Sequence, residues 1–346
     1  MRPTKFFLLL QILLMGLMSS SGVAQTKIRL ATLLPRGSSH YQILETMGQR
    51  WRVVSGGAVM LTIYADGTMG SEAETVQRMR IGQLQAATLS AGGLSQIDSS
   101  VGALQKIPMV YRSLDEVEYV RSHMEAEIEQ RLAAKGFVVL FWADTGWVNV
   151  FSREAALHPD EFRRTKVFVT ADDHEEVEIV KQLGFPAVPL EWSDVLISLH
   201  SGMVDTVPTT PFLALAGQYD LVAKHMLEIP WVPLVGGTVI TTKAWNSIPP
   251  QYREAFRQAA IDAGKQMQAR GREESLEAIE AMKKRGLQVK PVSPALLDEW
   301  QRFAGAVYPR MRGTMVPADM FDEVLRLVKE YRASTGAKSC VQPCHR

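Results

Sequence analysis

Only two cysteines, Cys340 and Cys344, occur in the 346 residues, and both fall in the last seven. No disulfide framework or cysteine metal cage can hold the main fold, which must stand on packing. Long single-sign charge runs are missing too: 38 basic side chains face 37 acidic ones, with no block of five or more lysines and arginines. That balance argues against a nucleic-acid partner or an anionic membrane surface. Beyond the N-terminus no apolar run reaches the roughly 20 residues that span a bilayer, so no direct membrane insertion is expected there. Histidines at 40, 123, 158, 174, 200, 225 and 345 are scattered, with no H-E-x-x-H spacing. The minimal parts of dinucleotide, P-loop and serine-hydrolase sites are also absent, so no cofactor, metal or catalytic residue is expected. No repeat of about 20 to 50 residues marks a solenoid.

What is present begins with a basic Met1–Lys5 stretch, an apolar run from Phe6 to Leu17, and small residues up to Ala24. This reads as a secretory signal cut after Ala24, which places the mature chain in the periplasm. Its loss removes Arg2 and Lys5 and no acid, turning the net charge of +1 to −1. The remaining length suits two domains.

From Lys27 onward strand-like and helix-like segments alternate, the mark of α/β architecture. Strands are predicted at 27–34, 61–64 and 86–89. A helix follows the N-cap hydroxyls of Gly37-Ser38-Ser39 and carries Ile43, Leu44, Met47, Trp51 and Val54 on its apolar side, and another runs from Glu72 to Ile81. Gly136, Gly184 and Gly202 are expected to close later helices. A long helix at 113–135 follows, then a buried strand at 137–142. The same grammar returns from Lys166: strand 166–169, helix 173–183, strand 186–190, helix 193–200. After a strand at 235–242, Pro249-Pro250 opens a helical pattern running to Arg285, longer than the roughly 8 to 20 residues of ordinary helices. It is expected to span both lobes or to kink at Gly264 or Gly271. Helices at about 296–308 and 318–331 complete the chain. Asp172-Asp173-His174-Glu175-Glu176 reads as a solvated helix start rather than a metal site, because acids are favoured in a first turn. Cys340, Cys344 and His345 leave a tetrahedral zinc one ligand short and read as a tail.

Aromatic residues recur at predicted strand ends: Trp142, Trp147, Phe168, Trp192 and Trp231. In open α/β sheets such ends line the ligand crevice. The run L-G-F-P-A-V-P-L-E-W-S-D-V at 183–195, continuing through Gly202, Val204 and Asp205, resembles the second-lobe motif of DctP-type solute receptors of tripartite ATP-independent periplasmic (TRAP) transporters. Gly70 with Glu74, Gln77, Arg80 and Gly82, the Ile107–Ser113 segment, and Lys243–Pro250 resemble other family segments in the same order. The resemblance spans Lys27 to Ala333. It implies a two-lobed, clamshell fold like that of periplasmic binding proteins, with a long helix joining both lobes. The partition is lobe I at 25–145 plus 234–272, lobe II at 146–233 plus 273–334, and a tail at 335–346. It also implies a small-molecule ligand and membrane permease subunits as partners.

Family members hold a carboxylate with an arginine in a K-[IL]-R-[VT] strand. Here Lys166-Val167-Phe168-Val169 puts Phe168 in its place, and Trp147 aligns with a second arginine. A buried carboxylate left unpaired costs several kcal/mol. Another cation, Arg36 or Lys106 for instance, could substitute. The expected ligand is apolar or amphipathic, met by Trp147, Phe168 and Trp192, each contributing roughly 1.5 to 3 kcal/mol by burial. Leu34 joins them, with Ser90, Thr209 and Thr210 orienting a hydroxyl or carbonyl. A carrier working with a non-permease partner stays open as an alternative. An enzyme in the same cleft would need a nucleophile and base, and no such pair is suggested.

Overall fold

The computed structural model describes residues 25–336; the signal segment, its cleavage site and Cys340, Cys344 and His345 lie outside them. The first α/β unit runs β1 (Thr26–Thr32), α1 (Ser39–Val54), β2 (Val59–Tyr64), α2 (Glu72–Arg80) and β3 (Ala86–Ser90). Helix α3 (Leu114–Ala134) leads into β4 (Phe137–Ser152). The second unit repeats the order with β5 (Val167–Thr170), α4 (His174–Gln182), β6 (Ala187–Leu190), α5 (Val195–Ser201), β7 (Thr206–Thr209) and α6 (Pro211–Ala216). Then come β8 (His225–Thr241), α7 (Pro250–Lys284), β9 (Gln288–Pro291), α8 (Pro294–Gly305) and α9 (Ala318–Ser334). Shorter helical turns are named below by their residues.

All nine strands form one sheet in the order β2-β1-β3-β8-β4-β7-β5-β6, with β9 beside β8. Its two ends are alike: β1 lies parallel between β2 and β3, and β5 lies parallel between β6 and β7. The antiparallel pair β4 and β8 runs through the middle and belongs to both lobes. Sequence patterning finds only the first half of β4 and the second half of β8. Register shifts after Val139, Asp144 and Val148, and Pro230 and Pro233 inside β8, disguise the rest as loop.

Three buried clusters hold the lobes. On one face α1 supplies Ile43, Leu44, Met47 and Trp51 against Phe256, Ala260 and Met267 of α7. In lobe II, Phe151, Val195, Leu199 and Val207 pack with Ala278, Ile279 and Met282 from the far end of α7. A third cluster covers the opposite face of both lobes and includes Val76 and Met79 of α2 and Ile179 of α4. Helix α7 thus spans both lobes unbroken. Its glycines mark contact: a Cβ on Gly264 would come 2.8 Å from Phe141 Cβ, and one on Gly271 2.9 Å from Thr145 Cα. Residues 318–334, assigned to lobe II from the sequence, pack as α9 against α3 of lobe I, where Arg332 makes two 2.8 Å contacts to buried Glu116.

Candidate functional site

The sheet order places the site. From β1 the chain crosses by α1 to β2 at the edge, then returns by α2 to β3 on the other side of β1. Helices α1 and α2 therefore cover opposite faces, and a crevice opens where β1 and β3 end. In lobe II, α4 and α5 repeat that reversal at the ends of β5 and β7. Leu34 follows β1, Ser90 ends β3, Asp172 and Asp173 follow β5, and Thr209 and Thr210 close β7. The two crevices face each other across β4 and β8.

Contacts across the cleft join them. The Ala73 backbone N–H at the start of α2 donates to Asp172 Oδ2 at 3.2 Å. Lys106 Nζ lies 2.5 Å from Asp173 Oδ2. On the α7 side the His40 ring of α1 sits 5.0 Å from the Phe212 ring of α6, while Ser39 Oγ donates to Glu274 at 2.6 Å. The middle of β4 is gripped by α7: Arg272 forms a two-pronged pair with buried Asp144 at 2.9 and 2.7 Å, and Gln268 adds a 2.8 Å bond.

In lobe I, Thr32, Leu33, Met69, Gly70, Glu72 and Leu89 lie together beside the crevice. Glu72 holds the base of the crevice. Its carboxylate accepts from Ser90 N at 2.6 Å and from Ser90 Oγ at 2.5 Å. Burial raises the Glu72 carboxyl above its ordinary range, the Ser90 bonds pull it back, and the nearby Asp172 charge adds to the rise. Glu191, beside Trp192, is also raised, first by burial and then by Asp172, Glu74 and Asp194. The lip of the cleft is thus rich in carboxylates.

The residues singled out from the sequence fall into different settings. Phe168 and Trp192 meet edge to face, with ring centroids 4.7 Å apart. Phe168 is only 4% exposed, set two residues below the end of β5 among the lobe II cluster. It supports Trp192, which keeps a half-exposed face, rather than offering area of its own. Trp147 packs against the cluster of the opposite face, so the three aromatics do not form one wall. Trp142 is buried with its Nε1 donating to Glu129, and Trp231 packs edge-on to Trp300. Ser90 spends its hydroxyl on Glu72, and the half-buried Leu34 packs against the α1 cluster. Thr210 caps α6 through Leu213 N. Thr209 stands apart: it is 2% exposed and its Oγ1 has no hydrogen-bond partner. Asn149, opposite Thr209 in the β4–β7 pairing and also buried, went unnoticed in the sequence because it lies in the unread half of β4.

In the acidic stretch 172–176, where His174, Glu175 and Glu176 are exposed, one residue differs from expectation. Asp173 caps α4 through Glu176 N as its pattern predicts, yet it is buried against Lys106 rather than solvated. Among the described residues no group of three or more histidine, cysteine, aspartate or glutamate side chains could hold a metal ion, and no helix is long and apolar enough to cross a membrane.

This architecture recurs in solved structures. A TRAP periplasmic solute-binding protein from Chromohalobacter salexigens with bound D-glucuronate superposes with a TM-score of 0.78 at 20% identity, covering 89% of this chain and 99% of that one. One from Sulfitobacter sp. NAS-14.1 with bound β-D-galacturonate gives 0.80 at 18% identity, covering 88% and 99%. In sequence, a solute-binding protein of Chromohalobacter salexigens is 25% identical over 232 residues, 65% of this chain and 67% of its own length. The C4-dicarboxylate-binding periplasmic protein DctP of Rhodobacter capsulatus is 20% identical over 233 residues, 67% of this chain and 70% of that protein. The family profile described as bacterial extracellular solute-binding protein, family 7 (DctP) matches residues 30–314, and the chain belongs to that family.

Proposed function

We propose that this chain is the extracytoplasmic receptor of a TRAP-type transporter, binding a small solute between its lobes in the periplasm and delivering it to membrane permease subunits. The observation that carries the reading is the pair of facing crevices, at the ends of β1 and β3 and of β5 and β7, hinged on the shared strands β4 and β8. Binding, rather than turnover, is the function. The polar groups that reach the cleft are bonded to each other within lobe I, as Ser90 and Glu72 are, bridge the lobes, as Asp172 does, or stand alone, as Thr209 does.

The solute is uncharged, with one apolar face laid on Trp192 and a hydroxyl or carbonyl set against Thr209. A wholly apolar ligand draws no support from the solved relatives named above, whose ligands are sugar acids, and the burial of Phe168 removes part of the apolar surface. Those ligands favour a second reading, a sugar acid held without the usual arginine. Calorimetric titration with glucuronate, galacturonate and succinate separates the two. The uncharged reading predicts no binding in the micromolar range; sub-micromolar affinity for any of the three establishes the acid.

A further inference from the structure

Lys106 follows the turn Ser99–Leu104 of lobe I and reaches across the cleft to the loop after β5. Its ammonium meets Asp173 Oδ2 at 2.5 Å, with the two side chains only 10% and 11% exposed. A carboxylate ligand entering a closed, water-poor cleft needs a cation, because an unpaired buried charge is strongly disfavoured. Of the two candidate cations named from the sequence, Arg36 lies largely in solvent beside Asp66 and Tyr41. Lys106 is the buried one, and Asp173 has taken it. Asp172 accepts from Ala73 N next to Glu72, and Glu176 interacts with Lys106 and Asp173 through charge, its own carboxyl pushed up to about 7 by burial of that end and by Asp173.

Resting on the receptor reading above, we infer that Asp173 is a specificity-determining residue: by pairing with Lys106 across the cleft it withholds the cation that a carboxylate solute would need. The capping role of Asp173 does not oppose the test, because asparagine caps a helix about as well as aspartate. Asp173→Asn therefore frees Lys106 while keeping the start of α4. Glu176 is the carboxylate placed to take over Lys106, so Asp173→Asn/Glu176→Gln is the stricter variant.

Galacturonate is the probe, titrated calorimetrically at low salt into the wild type, both of these variants, and Lys106→Met/Asp173→Asn, with circular dichroism confirming each fold. The inference predicts that galacturonate affinity rises by about tenfold or more in Asp173→Asn or in the stricter variant, and that the gain disappears when Lys106 is also replaced. No gain in either folded variant, or a gain that survives the loss of Lys106, overturns it. Either result leaves the receptor reading standing if the wild type still carries a solute through purification, so the two failures are distinguishable.

Discussion

At the scale of single residues, Phe168 shapes the cleft from below. An arginine at this position has the length to pass its neighbours and reach the cleft, whereas a phenyl ring stops in the lobe II cluster under Trp192. Phe168→Ala is expected to cost about 3 to 5 kcal/mol of unfolding free energy and to loosen Trp192, lowering solute affinity indirectly. Trp192→Ala removes a half-exposed side chain and is expected to weaken solute binding with a smaller stability loss. Urea denaturation beside a binding titration tests the pair, and the account fails at this point if Phe168→Ala leaves stability unchanged. The motif at 183–195 made Trp192 legible in the sequence. The depth of Phe168 was not, because three apolar side chains in a row, Val167, Phe168 and Val169, do not reveal which residues face the core and which the crevice.

At the scale of elements, the closeness of α7 to β4 sets the relation of the lobes. Ala is favoured over Gly inside a helix by about 1 kcal/mol, so Gly271→Ala would stabilise α7 in isolation. Here the added Cβ would come 2.9 Å from the Thr145 backbone, and overpacking of this kind costs about 1 to 3 kcal/mol. The variant is expected to melt at a lower temperature than the wild type; a higher melting temperature would show that the helix lifts from the strand without cost. The junction of α1, α6 and α7 makes a pH prediction. His40 is fully buried against Phe212, with Glu274 3.6 Å from its Nδ1 and Arg270 also acting on it. Burial pushes its pKa below the ordinary 6.5, while Glu274 pulls it up less strongly. The unfolded chain therefore takes up a proton below pH 6.5 that the folded chain resists, so stability present above 6.5 is lost as pH falls. Melting curves at pH 7.5 and 5.5 should show a smaller drop in His40→Asn than in the wild type; an equal drop would assign the loss elsewhere.

These elements also show how far the sequence could be read. The paired α/β grammar, the caps and the reach of α7 follow from hydrophobic period and punctuation, and each appears close to its expected bounds. The paired middle strands do not. Gly146, at φ +100°, and the register shifts of β4 break the alternation on which strand reading depends, and prolines interrupt β8. The pairing of Lys106 with Asp173 lies 67 residues apart in the chain and has no local pattern to announce it.

At the scale of the whole molecule, one sheet carries two matched lobes, and the contacts of Asp172, Asp173, His40 and Glu274 hold them together. A clamshell of this kind traps its solute, and a ligand that binds only the folded, closed chain also stabilises it by mass action. The most direct test is native mass spectrometry of the protein purified without denaturation from the periplasm of a producing cell. The account predicts a species heavier than the mature polypeptide by the mass of one small uncharged solute, converting to the bare mass on denaturation and absent in Trp192→Ala. A protein that carries no solute from any such source, or one whose bound mass proves to be a carboxylic acid held independently of Trp192, would contradict it.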